Sequence, residues 1–92
     1  MAVVGDRIAE RAADDFGRSA PRVVSALERL RVSPSADPER IQAAVLIAAR
    51  GDLTLLDDAL AHAREDHRDL LDRAGLAGDD WRERLDAALG HG

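Results

Sequence analysis

The chain has 92 residues, of which 46% are hydrophobic and 34% charged, with a net charge of −5 and no cysteine. This length predicts a single domain over residues 1–92, because independent domains run from about 50 to 250 residues. The lack of cysteine excludes disulfides, iron–sulfur clusters, thiolate zinc sites and cysteine nucleophiles. The longest apolar run, residues 43–49, is far shorter than the about 20 residues that cross a bilayer, and residues 3–10 lack a signal peptide's apolar segment. We therefore predict a cytoplasmic protein without a membrane segment.

The composition favours helices along the whole chain. Ala, Leu, Arg, Asp and Glu dominate, with only three Pro and seven Gly. No segment alternates apolar and polar residues as a half-buried strand would. We therefore predict an all-α fold, a compact bundle of five to six short helices around a central apolar helix at about residues 38–50.

The first two predicted helices begin at about residue 3 and at Ser19. Gly17 is placed to end the first helix, and the hydroxyl of Ser19 can cap the second, which tolerates Pro21 in its first turn. The residues expected to face the core are Val4, Ile8, Ala12 and Phe16 in the first helix and Val23, Leu27 and Leu30 in the second.

The third predicted helix spans about residues 38–50. Asp37 followed by Pro and Glu supplies a cap, a fixed φ angle and an acid at the positive end of the helix dipole. Within residues 41–49 only Gln42 is polar, and a helix that is apolar on every side is normally surrounded by others. We therefore place this helix at the centre of the bundle, after a loop over residues 32–36.

The segment after the third helix allows two interpretations. Gly51 and Asp52 combine a helix-ending glycine with an N-cap, which predicts an antiparallel helix pair with the fourth helix beginning at Leu53. Apolar residues then keep helical phase as far as Ala74, so one continuous helix is possible. Against this, residues 66–69 (Asp-His-Arg-Asp) recur fourteen residues later as residues 80–83 (Asp-Trp-Arg-Glu), which have capping-box spacing.

By analogy with the second copy, Asp66 should cap its own helix over residues 67–74, and we favour a break near Glu65.

The last predicted helix covers residues 81–89. Its expected buried side is Trp81, Leu85, Ala88 and Leu89, with Trp81 as the largest contribution to the core. His67, at the position equivalent to Trp81, is expected to be partly buried at a helix start, and His91 to lie in a frayed C-terminal segment.

The charge is concentrated in the second half of the chain. Residues 1–50 carry 8 Arg and 7 acids, whereas residues 51–92 carry 5 Arg and 11 acids. Such a surface favours basic partners, although a merely solubilising face is the alternative. We predict a non-enzymatic protein–protein interaction module, with a second copy of the chain as a possible partner. The candidate interaction residues are Asp57, Asp58, Asp69 and Asp72.

Two alternative functions rest on smaller clusters. Asp58, His62 and Asp66 lie at i, i+4 and i+8, and imidazole with carboxylates one helical turn apart can bind a divalent metal or act as an acid–base group. This spacing matches no metalloenzyme motif, and we assign no catalytic residue, cofactor or metal ligand. Nucleic-acid binding is a second alternative, disfavoured because no Lys, Tyr or Gly-rich segment accompanies the basic residues. These basic residues are Arg18, Arg22, Arg29 and Arg31.

Part of the chain resembles a known group of proteins. The strings Gly51-Asp52-Leu53, Asp66-His67-Arg68-Asp69-Leu70-Leu71, Ala74-Gly75-Leu76-Ala77 and Asp80-Trp81 lie within residues 40–89. This region resembles small helical proteins of actinobacterial type. The resemblance implies a helical fold, and because the group has no assigned activity it implies no functional residue.

Overall fold

The computed structural model describes residues 3–30 and 37–90. Its helical elements are α1 (Asp6–Phe16), a 3₁₀ turn (Gly17–Ser19), α2 (Ala20–Arg29), α3 (Pro38–Ala49), α4 (Leu53–Glu65), α5 (His67–Ala74) and α6 (Trp81–Leu89). Within these described ranges the chain forms no strand. The predicted all-α bundle is therefore confirmed.

Helix α3 lies at the centre of the hydrophobic core. Of residues 41–49, all except Ile47 are buried, and one apolar cluster joins them to buried residues of the other five α-helices. The most extensive packing of α3 is against α4 and α5. Fully burying one Leu, Ile or Val side chain contributes about 1.5–3 kcal/mol, so this short helix carries much of the stability. The predicted central helix is confirmed.

Gln42 is the one polar side chain in the buried part of α3, and it is 2% exposed. Its Nε2 donates a hydrogen bond to the backbone carbonyl of Val3 at 3.1 Å. Its Oε1 accepts no hydrogen bond from the described residues. The amide therefore ties the segment before α1 across the central helix.

The connection from α3 to α4 requires glycine. Arg50 and Gly51 both have left-handed backbone conformations, with φ of 50° and 76°. A Cβ atom at Gly51 would lie 2.9 Å from the backbone oxygen of Asp15 at the end of α1, which is closer than real contacts allow. The carboxylate of Asp52 then accepts the backbone N–H groups of Thr54 and Leu55, as expected for the predicted N-cap.

Helices α4 and α5 are separate, as favoured from the repeat. Asp66 is extended, with φ of −156° and ψ of 92°, and its carboxylate accepts the N–H groups of Arg68 and Asp69. Because an extended residue cannot continue the helical hydrogen-bond ladder, α4 ends at Glu65. The alternative of one continuous helix is excluded.

Three details of the helix starts differ from the expectations. Helix α1 begins at Asp6, later than the predicted residue 3. Ser19 lies in the 3₁₀ turn with φ of −84° and ψ of −4°, and its side chain makes no cap bond because an N-cap needs an extended backbone. Asp80 has φ of −87° and ψ of 15° and makes no cap bond either. Its carboxylate instead pairs with Arg84 at 2.8 Å, which lowers the pKa of Asp80.

Trp81 is only half-buried, so the prediction that it is the largest contribution to the core is wrong. The guanidinium carbons of Arg40 and Arg82 lie 4.9 and 4.7 Å from the centre of its ring. Charged groups therefore cover part of the ring, and another part packs against the apolar core. The buried residue of α6 is Leu85, whereas Ala88 is exposed.

Arginines of α1 hold α6 against the rest of the molecule. Arg7 donates from Nε and Nη2 to the two carboxylate oxygens of Glu39, at 3.0 and 2.7 Å, and from Nη1 to Asp86. One turn later, Arg11 donates to the backbone oxygen of Ala88 at 2.6 Å. The hydrogen bond from Arg7 holds the pKa of Glu39 below its ordinary value. These contacts connect the start of α3 with the end of α6.

Some expectations concern residues outside the described ranges. The predicted loop over residues 32–36, Arg31 and His91 belong to these positions.

Candidate functional site

Two side-chain pairs connect α4 and α5 into a hairpin. Asp58 pairs with Arg73 at 3.1 Å, and His62 Nε2 lies 2.8 Å from Asp69 Oδ2. In each pair the two residues are equally distant in sequence from the turn at residues 65–66. The helices therefore run antiparallel, and the register of the surface between them is defined. We call the exposed surface of residues 53–74 the acidic hairpin.

The four predicted interaction residues are all exposed on the acidic hairpin, but they fall into two kinds. Asp58 and Asp69 are engaged in the cross-helix pairs. Asp57 and Asp72 have no ion-pair partner among residues 3–30 and 37–90. Asp57 and Asp72 are therefore the two of these four positions that have no side-chain partner among the described residues.

Exposed leucines accompany these carboxylates. Leu53 and Leu55 are each 37% exposed in the first turn of α4. Leu55 also lines a shallow groove of about 230 Å³ together with Ile47 and Arg73. Because Leu53 precedes Asp57 by four residues, the two share one face of α4. The acidic hairpin thus combines apolar contact area with unpaired negative charge.

The three residues of the candidate metal-binding or acid–base cluster each contact a different partner. Asp58 pairs with Arg73, His62 with Asp69, and the carboxylate of Asp66 caps α5. In the part of the chain that the structure describes, no three His, Asp or Glu side chains form a group that could hold a metal ion. The i, i+4, i+8 spacing places three residues on one edge only if the helix is continuous, and α4 ends at Glu65, before Asp66.

The predicted basic segment is an exposed surface. Arg18 lies in the 3₁₀ turn, and Arg22 and Arg29 lie on α2, all three exposed. The seven-residue spacing of Arg22 and Arg29 places them on one face of α2. The only aromatic residue next to this segment, Phe16, packs against the core. The structure therefore adds no stacking platform to these arginines.

A groove that the sequence did not indicate lies between α3, α5 and the segment before α6. Its volume is about 360 Å³, and we call it the basic groove. His67 is half-buried there, as predicted for this residue. Sequence reasoning missed the groove because its basic residues come from different helices, and the only available signal was the partly buried histidine. The lining residues are Asp37, Arg40, Ile41, His67, Arg68, Leu71 and Ala77.

Comparison with known proteins finds no matching family model, no similar curated protein and no similar solved structure. The resemblance to actinobacterial helical proteins accordingly stays a prediction. Among the described helices, none is both long enough and apolar enough to cross a membrane. The chemistry of the acidic hairpin and of the basic groove is therefore the basis for assigning a function.

Proposed function

We propose that the protein is a non-enzymatic helical module that binds a basic segment of another protein through the acidic hairpin. The observation that carries this proposal is the exposure of Asp57 and Asp72 without ion-pair partners among the described residues, with exposed Leu53 on the same face of α4 as Asp57. By the register of the two cross-helix pairs, Asp57 and Asp72 lie on the half of the hairpin away from its turn. Both carboxylates are therefore displaced toward the same end of the hairpin.

The two kinds of aspartate have different roles in this proposal. Asp58 already faces a cation and Asp69 an imidazole, so a partner would compete with these contacts for the two carboxylates. Asp57 and Asp72 retain their full attraction for Lys or Arg side chains, which raises the association rate and selects basic partners. Exposed Leu53, on the same face of α4 as Asp57, supplies apolar burial on which affinity depends, since charges at the rim of an interface add little to affinity by themselves.

A second copy of the chain is a less suitable partner than a different protein. In a symmetric dimer the same patch contacts itself. A dimer through the acidic hairpin would therefore bring Asp57 and Asp72 of both copies together, and juxtaposed like charges are unfavourable. We accordingly favour a different, basic partner.

The proposal is tested by charge reversal at the unpaired carboxylates. The test variant is Asp57→Arg/Asp72→Arg, and the control is Asp14→Arg/Asp79→Arg, which makes the same change in net charge at exposed positions outside the acidic hairpin. Tagged protein captures its partner from native lysate, and the purified partner is then titrated calorimetrically against each variant. We expect Kd to rise at least about tenfold in the test variant and to change much less in the control.

Salt provides an independent readout of the same contact. Binding through unpaired carboxylates should weaken as the ionic strength rises, because salt screens exposed charges. Equal affinity of the test and control variants would refute the proposal, as would failure to retain any stoichiometric protein between low and physiological salt. Light scattering that shows a dimer disrupted by the test variant would identify self-association and overturn the choice of a basic partner.

A further inference from the structure

The basic groove has the size and composition of a small ligand site. Its volume of about 360 Å³ lies near the lower end of the range for small-molecule pockets, about 300–1,000 Å³. Leu71 and Ala77 provide apolar lining, and Arg40, His67 and Arg68 provide hydrogen-bond donors. A compact ligand with one charged end fits this combination better than an extended chain does.

The charge of the groove is opposite to that of the protein. The chain has a net charge of −5, yet two arginines and an imidazole line the groove, and Asp37 is the one acid among its described lining residues. The carboxylate of Asp37 already accepts the backbone N–H groups of Glu39 and Arg40, at 3.0 and 3.4 Å. The groove therefore attracts anions.

The donors that an anion would meet are side chains. The backbone N–H groups at the starts of α3 and α5 are capped by Asp37 and Asp66. Arg68 is exposed, and its guanidinium makes no hydrogen bond or ion pair with residues 3–30 or 37–90. A charged donor of this kind is available to a ligand without breaking a contact within the protein.

Arg40 is held in place before any ligand arrives. Its Nε and Nη2 donate to the backbone carbonyl of Leu76 at 2.9 and 2.7 Å, and its guanidinium lies over the ring of Trp81. These contacts leave Nη1 without a hydrogen bond among the described residues. An arginine fixed in this way loses little conformational entropy on binding, which favours affinity.

From this geometry we infer that the basic groove binds a small organic oxyanion, a carboxylate or a phosphate, between Arg40, His67 and Arg68. The oxygens accept hydrogen bonds from the two guanidinium groups and the imidazole, and the rest of the ligand contacts Leu71 and Ala77. The groove shares residues 67, 68 and 71 with the acidic hairpin, but Asp57 and Asp72 do not line it, and the test of the groove uses no protein partner. Failure of one proposal therefore does not affect the other.

The test is an NMR titration of the ¹⁵N-labelled full chain, with inorganic phosphate in one arm and the monocarboxylate butyrate in the other. Saturable shifts confined to the amides of residues 37–41, 67–71 and 77 support the site, and the arm with the lower Kd identifies the phosphate or the carboxylate as the preferred group. Arg68→Gln should raise Kd about tenfold, because a hydrogen bond between charged groups is lost. Arg64→Gln is the matched control, since Arg64 is exposed and lies outside the groove.

Three results would overturn the inference. The first is the absence of saturable shifts in both arms up to tens of millimolar anion. The second is a set of shifts spread over all exposed arginines. The third is an equal loss of affinity in Arg64→Gln and Arg68→Gln, which would show a general response to charge. An unchanged melting temperature in Arg68→Gln establishes that its weaker binding does not come from unfolding.

Discussion

Helices α3 and α6 are held in the molecule by different forces. Helix α3 is surrounded by apolar side chains from its neighbours and is buried along almost its whole length. Helix α6 buries Leu85 fully and packs Trp81 and Leu89 partly against the core, and hydrogen bonds and ion pairs from Arg7 and Arg11 attach its C-terminal half. The comparison teaches that the sequence indicates the apolar burial of both helices, through the apolar run of α3 and through Leu85 of α6, whereas the arginines that attach the end of α6 come from a distant helix and belong to no local pattern.

The arginine contacts suit the end of a helix. The last carbonyl groups of a helix lack intrahelical partners and carry partial negative charge. Arg11 donates to the carbonyl of Ala88 and Arg7 to that of Gly90, both at this end of α6. Net hydrogen-bond contributions of about 1 kcal/mol are smaller than those of buried leucines. Helix α6 should therefore open before α3 does.

The largest effect is expected from truncation inside α3. Leu46 is fully buried, so Leu46→Ala should lower the free energy of unfolding by about 2–5 kcal/mol through lost burial and the cavity left behind. Leu55→Ala is the control. Because Leu55 is 37% exposed, this substitution should lower the free energy of unfolding much less. Urea unfolding of both variants measures the difference. Similar losses would contradict the central position of α3.

A smaller loss is expected from Trp81→Ala in α6. The sequence alone predicts about 3–5 kcal/mol for a core tryptophan, but the ring is half-buried and partly covered by Arg40 and Arg82. We expect a loss of about 2 kcal/mol, which combines partial burial with two cation–π contacts. Thermal unfolding measures this loss. A value matching that of Leu46→Ala would show that the ring is a full member of the core.

The two copies of the internal repeat should respond differently to removal of their aspartates. Asp66→Ala should destabilise the protein by about 1 kcal/mol, because Asp66 caps α5 with two hydrogen bonds. Asp80→Ala should have a smaller effect, because Asp80 makes no cap bond and pairs only with exposed Arg84. Hydrogen exchange of the α5 and α6 amides distinguishes the two cases. If both variants lost the same degree of protection against hydrogen exchange, both aspartates would act as caps.

The smallest effect is expected at Glu39, and it depends on pH. Because Arg7 holds the pKa of Glu39 below its ordinary value of about 4.5, the ion pair stabilises the fold above that pH and is lost as the pH falls through the folded-state pKa. The side chain is 37% exposed, so solvent screening limits the contribution to about 0.5 kcal/mol.

Urea unfolding of the parent and of Glu39→Gln between pH 7 and pH 3 measures this contribution. The variant should be less stable at pH 7 and should approach the parent in acid. A constant difference between the two at every pH would show that the carboxylate charge is not responsible.

The sequence anticipated the parts of the fold that depend on local signals. Asp37 and the apolar residues after it predicted α3, and Asp66 predicted the break between α4 and α5. The same local pattern at Asp80 predicted a cap that does not form. The preceding turn directs the N–H of Trp81 to the carbonyl of Gly78 and gives Asp80 a non-extended backbone. The local sequence thus identified where the helices begin. The geometry of the preceding turn decided that Asp66 caps its helix and Asp80 does not.

The candidate sites depended on contacts that no local pattern contains. The sequence identified four aspartates of the acidic hairpin, but it could not separate the paired Asp58 from the unpaired Asp57. That separation requires the antiparallel register of α4 and α5, which follows from the break at Asp66. The basic groove requires Arg40 and Arg68 to meet across α3 and α5, which is a property of the tertiary packing alone.

Gln42 bears on the uniqueness of the native state. A helix that is apolar on all sides could rotate about its own axis and still bury nearly the same apolar area. Several orientations of α3 would then be close in energy. The hydrogen bond from Gln42 Nε2 to the Val3 carbonyl exists in one orientation only, and any other would leave this nitrogen buried without an acceptor. Replacement by Leu would therefore relax the selection of a single rotational setting, even where it left the overall stability unchanged.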